Sequence, residues 1–425
     1  MNLTPTSTEV FATICFAFAI LHTFSVKQFQ RLAGKYVPGS VGENLFHLLG
    51  EVEVVFGIWA ALFLLFMGVT QSPMEAVHFL ETRNFTEPAF VFVIMVICAT
   101  RPILSTTGTF IDVASRLLPL KRPVAFYATC LVIGPLMGSF ITEPAAMTVT
   151  ALILLERFYK QGVSQRLMYA TIGLLFVNIS IGGTLTPFAA PPVLMVAKAW
   201  NWDLAFMLTH FGWKAALSTV LATAFITNRF KKELEKISWD KPTAKKGMTI
   251  PLWVSATHLV YLAGVVGSSH HLAVFGGIFL FFLGLVSVTR EYQEEIKLRE
   301  GLLVAFFLGG LVVLGGPQRW WLEPILTRLD TLPLYLGGIA LTAITDNAAL
   351  TYLGAQVPSL GEASRYALVA GAVTGGGLTV IANAPNPAGY GILNSSFGEN
   401  GMSPFLLLKN ALLPTGIAAL CFWFL

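Results

Sequence analysis

The sequence predicts an all-α polytopic membrane protein, on the basis of its composition and hydropathy. Of its 425 residues, 55% are hydrophobic and only 12% are charged, about half the charged share of a typical soluble domain. The mean hydropathy is +0.70, and apolar runs near the length that crosses a bilayer recur from end to end. The net charge of +4 comes largely from loops, so it bears on topology rather than on nucleic-acid binding.

The apolar runs predict about ten transmembrane helices. The first run, from about Val10 to Val26, has neither a basic n-region nor a small-residue cleavage site, so we expect a retained helix rather than a signal peptide. The predicted crossings are 8–26, 46–70, 88–103, 168–200, 204–227, 250–267, 272–288, 301–316, 366–394 and 403–425. Two of them, 168–200 and 366–394, are interrupted. Two further segments, 124–156 and 333–358, are interrupted at Glu143-Pro144 and Asp346-Asn347.

Basic residues are concentrated in certain loops, and the positive-inside rule makes those loops cytoplasmic. They contain Lys27, Arg31 and Lys35; Arg116, Lys121 and Arg122; Arg157, Lys160 and Arg166; and, in the longest loop, Arg229, Lys231, Lys232, Lys236, Lys241, Lys245 and Lys246. The intervening loops 71–87 and 268–271 contain no lysine and a single arginine, Arg83. These intervening loops are therefore expected on the opposite side of the membrane.

The same charges predict two re-entrant hairpins. Basic clusters flank segment 124–156 on both sides, so both of its ends are cytoplasmic and the segment cannot be a single crossing. Continuing the count places both ends of segment 333–358 outside. Non-helical backbone at membrane depth is tolerated only where protein buries it or where it lines a watered cavity. Glu143-Pro144 and Asp346-Asn347 are therefore predicted to be hairpin tips at a cavity.

Two motifs occur twice and in the same order. The segments "ITEPAAMT" at 141–148 and "ITDNAALT" at 344–351 share Ile-Thr, then an acid, then Ala-Ala and a final Thr. The segments "GGTLTPFAAPP" at 182–192 and "GGLTVIANAPN" at 376–386 share an opening Gly-Gly and a later Ala-Pro. An odd number of predicted crossings separates the copies, which makes the repeats inverted in topology. Inverted repeats with broken helices are typical of secondary transporters.

With these motifs the chain resembles the ion transporter superfamily, which includes arsenite pumps, divalent-anion/sodium symporters and several sodium/proton antiporters. Within that group it most resembles a family of sodium/proton antiporters. One departure is at the first tip, where Glu143-Pro144 stands in place of the more usual Asp-Asn or Ser-Asn-Thr. The resemblance implies five regions: scaffold helices at 1–87, a transport repeat at 88–227, a cytoplasmic basic loop at 228–249, scaffold helices at 250–300 and a second transport repeat at 301–425.

The four helix interruptions are rich in oxygen ligands. They contain Thr142, Glu143, Thr184, Thr186, Thr345, Asp346, Asn347, Asn383 and Asn386. Sodium is a hard cation that takes carboxylate, hydroxyl, amide and backbone oxygens. Because a buried carboxylate binds a proton more readily than an exposed one, it can exchange that proton for a cation. We expect Asp346 to be the direct sodium ligand and Glu143 to carry the proton.

Each of these residues also has a purely structural interpretation. Glu143 and Asp346 could cap a helix N-terminus, where the helix dipole favours a negative charge. The threonines could bond to the backbone of their own helices, and Asn383 and Asn386 could stabilise the break in their segment. Intramembrane acids are nevertheless functional in most cases.

The function that the sequence predicts is exchange of a monovalent cation, most simply sodium, for protons by alternating access. A sodium-coupled symporter of an anion such as a dicarboxylate is the main alternative, although an acid at both tips repels an anion. A passive channel would not need inverted repeats with two acids. We find no arrangement of catalytic residues typical of an intramembrane enzyme.

The expected partners are a monovalent cation, protons and the lipid bilayer, with no nucleic acid and no cofactor. The four cysteines have no metal-binding spacing. We expect a multi-pass protein of a bacterial inner membrane that forms a homodimer. Lys214 and Lys409 occupy matching places in the last helix of each repeat. Each could extend its ammonium toward the interface or offset the charge of a nearby acid.

The topology can be tested with single cysteines. A cysteine at position 160 should react with an impermeant reagent only from the cytoplasmic side, and a cysteine at position 362 only from outside, because the basic loops fix these sides. Labelling of position 160 from outside would make segment 124–156 a full crossing and would contradict the inverted repeats.

Overall fold

The computed structural model describes residues 4–239, 249–398 and 401–425. Within these ranges the chain is helical and contains no strand. The first eleven helices are α1 (Ser7–Ala33), α2 (Val41–Leu49), α3 (Val52–Thr70), α4 (Pro73–Glu81), α5 (Thr86–Cys98), α6 (Arg101–Ser115), α7 (Arg122–Ile141), α8 (Glu143–Arg157), α9 (Gln165–Gly182), α10 (Pro191–Trp200) and α11 (Leu204–Met207). Lys241, Lys245 and Lys246 of the predicted basic loop lie outside the described residues.

The second half of the chain continues in the same way. Its helices are α12 (Trp213–Arg229), α13 (Lys231–Leu234), α14 (Leu252–Gly267), α15 (Leu272–Val288), α16 (Leu298–Gly315), α17 (Arg319–Leu326), α18 (Thr331–Thr342), α19 (Asn347–Ala355), α20 (Glu362–Gly375), α21 (Asn386–Asn394) and α22 (Pro404–Phe424). A π-helical stretch, Leu208–Gly212, joins α11 to α12. A 3₁₀ turn, Gly183–Leu185, extends α9.

Seven helical segments among the described residues are long and apolar enough to span a membrane. They are Ser7–Ala33, Val52–Thr70, Arg122–Ile141, Gln165–Leu185, Leu204–Arg229, Leu298–Leu326 and Pro404–Phe424. The sequence also predicted crossings at 88–103, 250–267, 272–288 and 366–394. In the region of the first, α5 and α6 meet at a bend of 69° and would make an eighth span if taken together. Pro102 lies in the first turn of α6, where its missing N–H costs no helical hydrogen bond. The chain is an integral multi-pass membrane protein, and the count of ten crossings stays a prediction.

All four predicted interruptions coincide with breaks between helices. The chain leaves regular α-helix between α7 and α8, between α9 and α10, between α18 and α19, and between α20 and α21. At the first of these the break falls on Thr142, and Glu143-Pro144 begins α8 rather than separating two helices. This is physically reasonable, because proline is tolerated in the first turn of a helix and an acid there faces the positive end of the helix dipole.

The chain forms two compact units. The first comprises residues 1–92, 298–330 and 352–361, in which α3 packs along α16 and α1. A Cβ added to Gly310 would collide with the backbone of Phe56 and Gly57, so α3 and α16 approach closely through small residues. The buried Gln318 side chain accepts hydrogen bonds from Thr13 at 2.9 Å and Trp321 at 2.8 Å.

The second unit comprises residues 93–297, 331–351 and 362–425 and holds every predicted site residue. Helix α9 lies at its centre, packed on α7, α12, α20 and α22. The most apolar 18-residue stretch of Gln165–Leu185 is buried throughout, as expected for a helix that is apolar on all sides. Helices α7 and α8 pack along each other, so the chain turns back at Thr142, whereas α18 packs along α20.

The break between α20 and α21 lies directly on the centre of α9. A Cβ added to Gly377 would collide with the backbone of Val177, so only glycine allows this approach. Gly391, on α21, has open space where its Cβ would be.

Replacing Gly377 should therefore destabilise the protein. Gly377→Ala is expected to cost about 1–3 kcal/mol, the usual cost of overpacking a core, measured as a lower Tm in detergent. Gly391→Ala is the matched control and should leave the Tm unchanged or raise it slightly. Equal Tm values for the two variants would contradict the close packing of this break on α9.

Candidate functional site

Thr142, the residue between α7 and α8, has a strained backbone. Its φ is 68° and its ψ is 152°, a region that is almost restricted to glycine and is worse for a β-branched residue. Its side chain is buried, and Thr142 Oγ1 has no hydrogen-bond partner in the described part of the chain. Such strain costs about 1–3 kcal/mol and persists only where the surrounding structure imposes it.

Glu143 follows Thr142 as the first residue of α8, and its side chain is 0% exposed. Glu143 Oε2 accepts a hydrogen bond of 2.8 Å from Asn383 Nδ2. Glu143 Oε1 has no hydrogen-bond partner among the described residues. A Cβ added to Gly183 would collide with Oε1, so the glycine leaves room for the carboxylate. Glu143 therefore binds a side chain from the other half of the sequence and does not act as a helix cap.

The break between α20 and α21 contacts both predicted tips through two consecutive residues. Asn383 donates to Glu143, and the Ala382 carbonyl oxygen accepts a hydrogen bond of 3.1 Å from the Asn347 backbone N–H. Asn383 Oδ1 is buried and lacks a hydrogen-bond partner within the described ranges. The two sequence motifs are therefore brought together in space at this break.

Asn347 and Asn386 are both fully buried. Asn386 Nδ2 donates to the carbonyl oxygens of Gly376 at 2.7 Å and Thr379 at 2.8 Å, so this residue does stabilise the break. Its Oδ1, and both polar side-chain atoms of Asn347, have no hydrogen-bond partner in the described structure. Each asparagine thus keeps an amide oxygen available to a ligand.

Asp346 and Thr345 differ from their counterparts at the first tip. Asp346 and Thr345 are both half-buried, whereas Glu143 and Thr142 are buried. Asp346 Oδ1 accepts hydrogen bonds from the backbone N–H groups of Ala348 at 2.8 Å and Ala349 at 3.1 Å, so Asp346 caps α19. Thr345 Oγ1 donates to the Leu341 carbonyl of its own segment at 2.8 Å. The negative charge of Asp346 still acts on Glu143.

Thr184 and Thr186 are buried, but their hydroxyl groups already make hydrogen bonds. Thr184 Oγ1 donates to the Ile181 carbonyl at 2.7 Å, and Thr186 Oγ1 donates to the Ser139 carbonyl at 2.6 Å. Ser139 Oγ in turn donates to the Gly182 carbonyl at 2.7 Å and accepts from the Leu185 N–H at 2.9 Å. Ser139 was not predicted from the sequence, and no motif around it indicated this role.

The two lysines at matching sequence positions have different surroundings. Lys214 is buried, and its Nζ donates a hydrogen bond of 2.8 Å to the hydroxyl of Tyr366. That hydroxyl donates to the Phe422 carbonyl at 2.7 Å, near the C-terminal end of α22. Lys409 is exposed. The hydrogen bond of Lys214 is made to a tyrosine hydroxyl, and that hydroxyl in turn is bonded to a helix C-terminus, where the dipole favours a cation.

The site is therefore a group of buried oxygen atoms around one fully buried carboxylate. Among the predicted site residues, the buried side-chain oxygens without a hydrogen-bond partner in the described part of the chain are Thr142 Oγ1, Glu143 Oε1, Asn347 Oδ1, Asn383 Oδ1 and Asn386 Oδ1. Buried polar atoms without hydrogen bonds are costly, and hard cations bind oxygens of these types. The described residues contain no cluster of three or more His, Cys, Asp or Glu, so a cation here would depend largely on neutral oxygens.

Comparison with known protein families identifies a match. A family model described as "Putative Na+/H+ antiporter" matches residues 7–425, nearly the whole chain. No curated protein matches the chain significantly.

The backbone strain at Thr142 can be tested by comparing two variants that both remove the hydroxyl group. Thr142→Gly should be more stable than Thr142→Ala by about 1–3 kcal/mol, because only glycine adopts this φ and ψ without steric cost. Thermal unfolding in detergent would measure the difference. A higher Tm for the alanine variant would contradict the strained conformation.

Proposed function

This chain belongs to the Na+/H+ antiporter family and so to the cation/proton exchangers, and from that premise we propose that it exchanges sodium ions for protons by alternating access. We place the exchange at the buried oxygen group around Glu143.

The observation that carries the proposal is the state of the Glu143 carboxylate. It is fully buried, and its only described hydrogen-bond partner is the neutral amide of Asn383. An isolated charge in such a place is too costly to persist, so the carboxyl group must bind either a proton or a cation. Because one oxygen of the carboxylate would serve both, the two ions compete. Competition at a single carboxylate is sufficient to couple their movements in opposite directions.

The remaining oxygens complete a plausible coordination sphere for a sodium ion. Asn347, Asn383 and Asn386 each offer a buried amide oxygen, and Thr142 offers a buried hydroxyl group. In this assignment Glu143 is both the direct ligand and the proton carrier. That departs from the roles expected from the sequence, because Asp346 Oδ1 is already engaged at the start of α19. Asp346 then contributes a second negative charge that favours cations over anions.

Thr184 and Thr345 are weaker candidates for coordinating the sodium ion. Their hydroxyl protons are donated to carbonyl groups of their own segments, so each could coordinate an ion only through a remaining oxygen lone pair. We retain them as candidates for the edge of the site.

Alternating access is supported by the way the helix breaks meet. Ala382 and Asn383 contact Asn347 and Glu143, respectively. An ion bound to Glu143 therefore acts on groups contributed by both of the proposed transport repeats, 88–227 and 301–425. Transporters with inverted repeats bind their substrate at such interfaces between broken helices and expose it by moving one repeat against the other.

The decisive experiment measures cation-dependent proton movement in everted membrane vesicles that contain the protein. Glu143→Gln keeps the size and hydrogen-bonding capacity of the side chain but removes its titratable group, so it should abolish proton release on addition of sodium. Asp346→Asn should weaken apparent sodium affinity by about tenfold or more, since it removes a nearby negative charge. Glu156→Gln is the matched control, because Glu156 lies on the same helix in an exposed ion pair with Lys160.

Each outcome selects one function. Full exchange by the Glu143→Gln variant would refute the proposed site. Sodium-coupled uptake of a dicarboxylate by the wild type, without proton exchange, would instead support an anion symporter. A cation flux that only dissipates gradients would support a channel. Parallel additions of sodium, lithium and potassium would identify the preferred cation.

A further inference from the structure

Helix α7 contains a proline, Pro135, seven residues before Thr142 leaves the helix. Proline has no backbone N–H, so the carbonyl group of Leu131, four residues earlier, lacks its usual helical partner. Leu131 is fully buried, so an unpaired carbonyl group at this position would be costly.

Two side chains from other helices replace the missing donor. Asn178 Nδ2, on α9, donates to the Leu131 carbonyl oxygen at 2.8 Å and to Thr223 Oγ1 at 3.0 Å. Thr223, on α12, donates weakly to the same carbonyl at 3.4 Å. Asn178 and Thr223 are both buried. The irregularity that Pro135 introduces into α7 is therefore stabilised by α9 and α12, with Asn178 making the principal contact.

The contacts of α9 continue along the same face of α7 as far as the site. Positions 131, 135 and 139 are each four residues apart, so they share a face of α7. A Cβ added to Gly182 would lie 2.7 Å from the Pro135 carbonyl oxygen. Ser139 donates to the Gly182 carbonyl at 2.7 Å, and Gly183 lies against the Glu143 carboxylate. The contact of Asn178 with Leu131 is the farthest of these from the site, and the contact of Gly183 with Glu143 lies in the site itself.

We propose that Asn178 is a positioning residue for cation binding. By satisfying the Leu131 carbonyl group it maintains the course of α7 past Pro135, where a proline inside a helix is expected to bend the axis. That course sets where Thr142 and Glu143 lie relative to Asn383. This inference rests on the proposed function of the Glu143 site. Asn178 itself does not bind the ion in this account. It acts through the course of α7.

The alternative is that Asn178 only satisfies a buried carbonyl group and that the exact course of α7 is unimportant. The two accounts predict different values of the KM for sodium when a different donor satisfies the Leu131 carbonyl group. Pro135→Ala supplies that donor, because the alanine N–H restores the ordinary helical hydrogen bond to Leu131. The same substitution removes the proline that is expected to bend the helix.

The stability arm compares the Tm of Asn178→Leu, Pro135→Ala and the double variant. Asn178→Leu should lower the Tm, because it leaves the Leu131 carbonyl buried without its principal donor. The double variant should recover most of that loss, because the alanine that replaces Pro135 donates in its place. A double variant as unstable as Asn178→Leu alone would show that Asn178 does not act on this carbonyl, and would overturn the proposal.

The transport arm measures the apparent KM for sodium of the same proteins in vesicles. Asn178→Leu and the stable double variant should both raise KM by about tenfold to a hundredfold, the range that a misplacement of about 1 Å produces. Thr171→Val is the matched control. Thr171 lies on α9 and contacts Tyr127 of α7 through a buried hydrogen bond of 2.7 Å, so its loss should lower the Tm but leave KM at the wild-type value.

A double variant with wild-type KM would overturn the positioning role, since the bend would then be dispensable. Asn178→Leu with a lower Tm and an unchanged KM would do the same. Failure of the proposed function is distinguishable from both, because it would appear as absence of exchange in the wild type. In that case the stability arm still decides whether Asn178 and Pro135 act on the same carbonyl group.

Discussion

The hydrogen bond from Asn383 to Glu143 is the interaction on which the organisation of the site depends. It joins residues 240 positions apart in the sequence, and it is the only described hydrogen bond to a carboxylate that is fully buried. One neutral hydrogen bond does not compensate for burial of a negative charge. In the proposed function a proton or a cation offsets this cost, and the buried amide oxygens of the neighbouring helix breaks would contribute to cation binding.

The helix breaks supply the polar groups that surround this carboxylate. Proline and glycine remove helical hydrogen bonds or allow close backbone approach, and each break exposes polar groups that regular helices would satisfy internally. At Thr142 this is accompanied by a strained backbone. At Pro135 the freed carbonyl is satisfied by Asn178, whereas around Glu143 several oxygens are left without partners in the described part of the chain.

The two tips have similar sequences but different physical states. Glu143 is fully buried and bonded to a distant asparagine, while Asp346 is half-buried and caps the helix that it precedes. At the first tip the N–H group of Ala146, the counterpart of Ala349, is instead donated to the Thr142 carbonyl oxygen at 3.1 Å. The proposed division of roles rests on this difference: Glu143 is proposed to exchange the ions, and Asp346 to add a negative charge nearby.

Much of this protein was determined by the sequence itself. Composition and hydropathy predicted a helical multi-pass membrane protein, and local proline, glycine and acid residues predicted all four helix breaks, because these properties act within a few residues of the chain. The sequence also identified the oxygen-bearing residues of the breaks. It could not show which acid is fully buried, that Asn383 donates a hydrogen bond to Glu143, or that Thr142 adopts a glycine-like conformation. Nor could it show that Ser139 and Asn178 make hydrogen bonds between α7 and α9. Those features depend on packing between segments far apart in sequence, where a hydrogen bond or a close backbone contact exists only after the helices have come together.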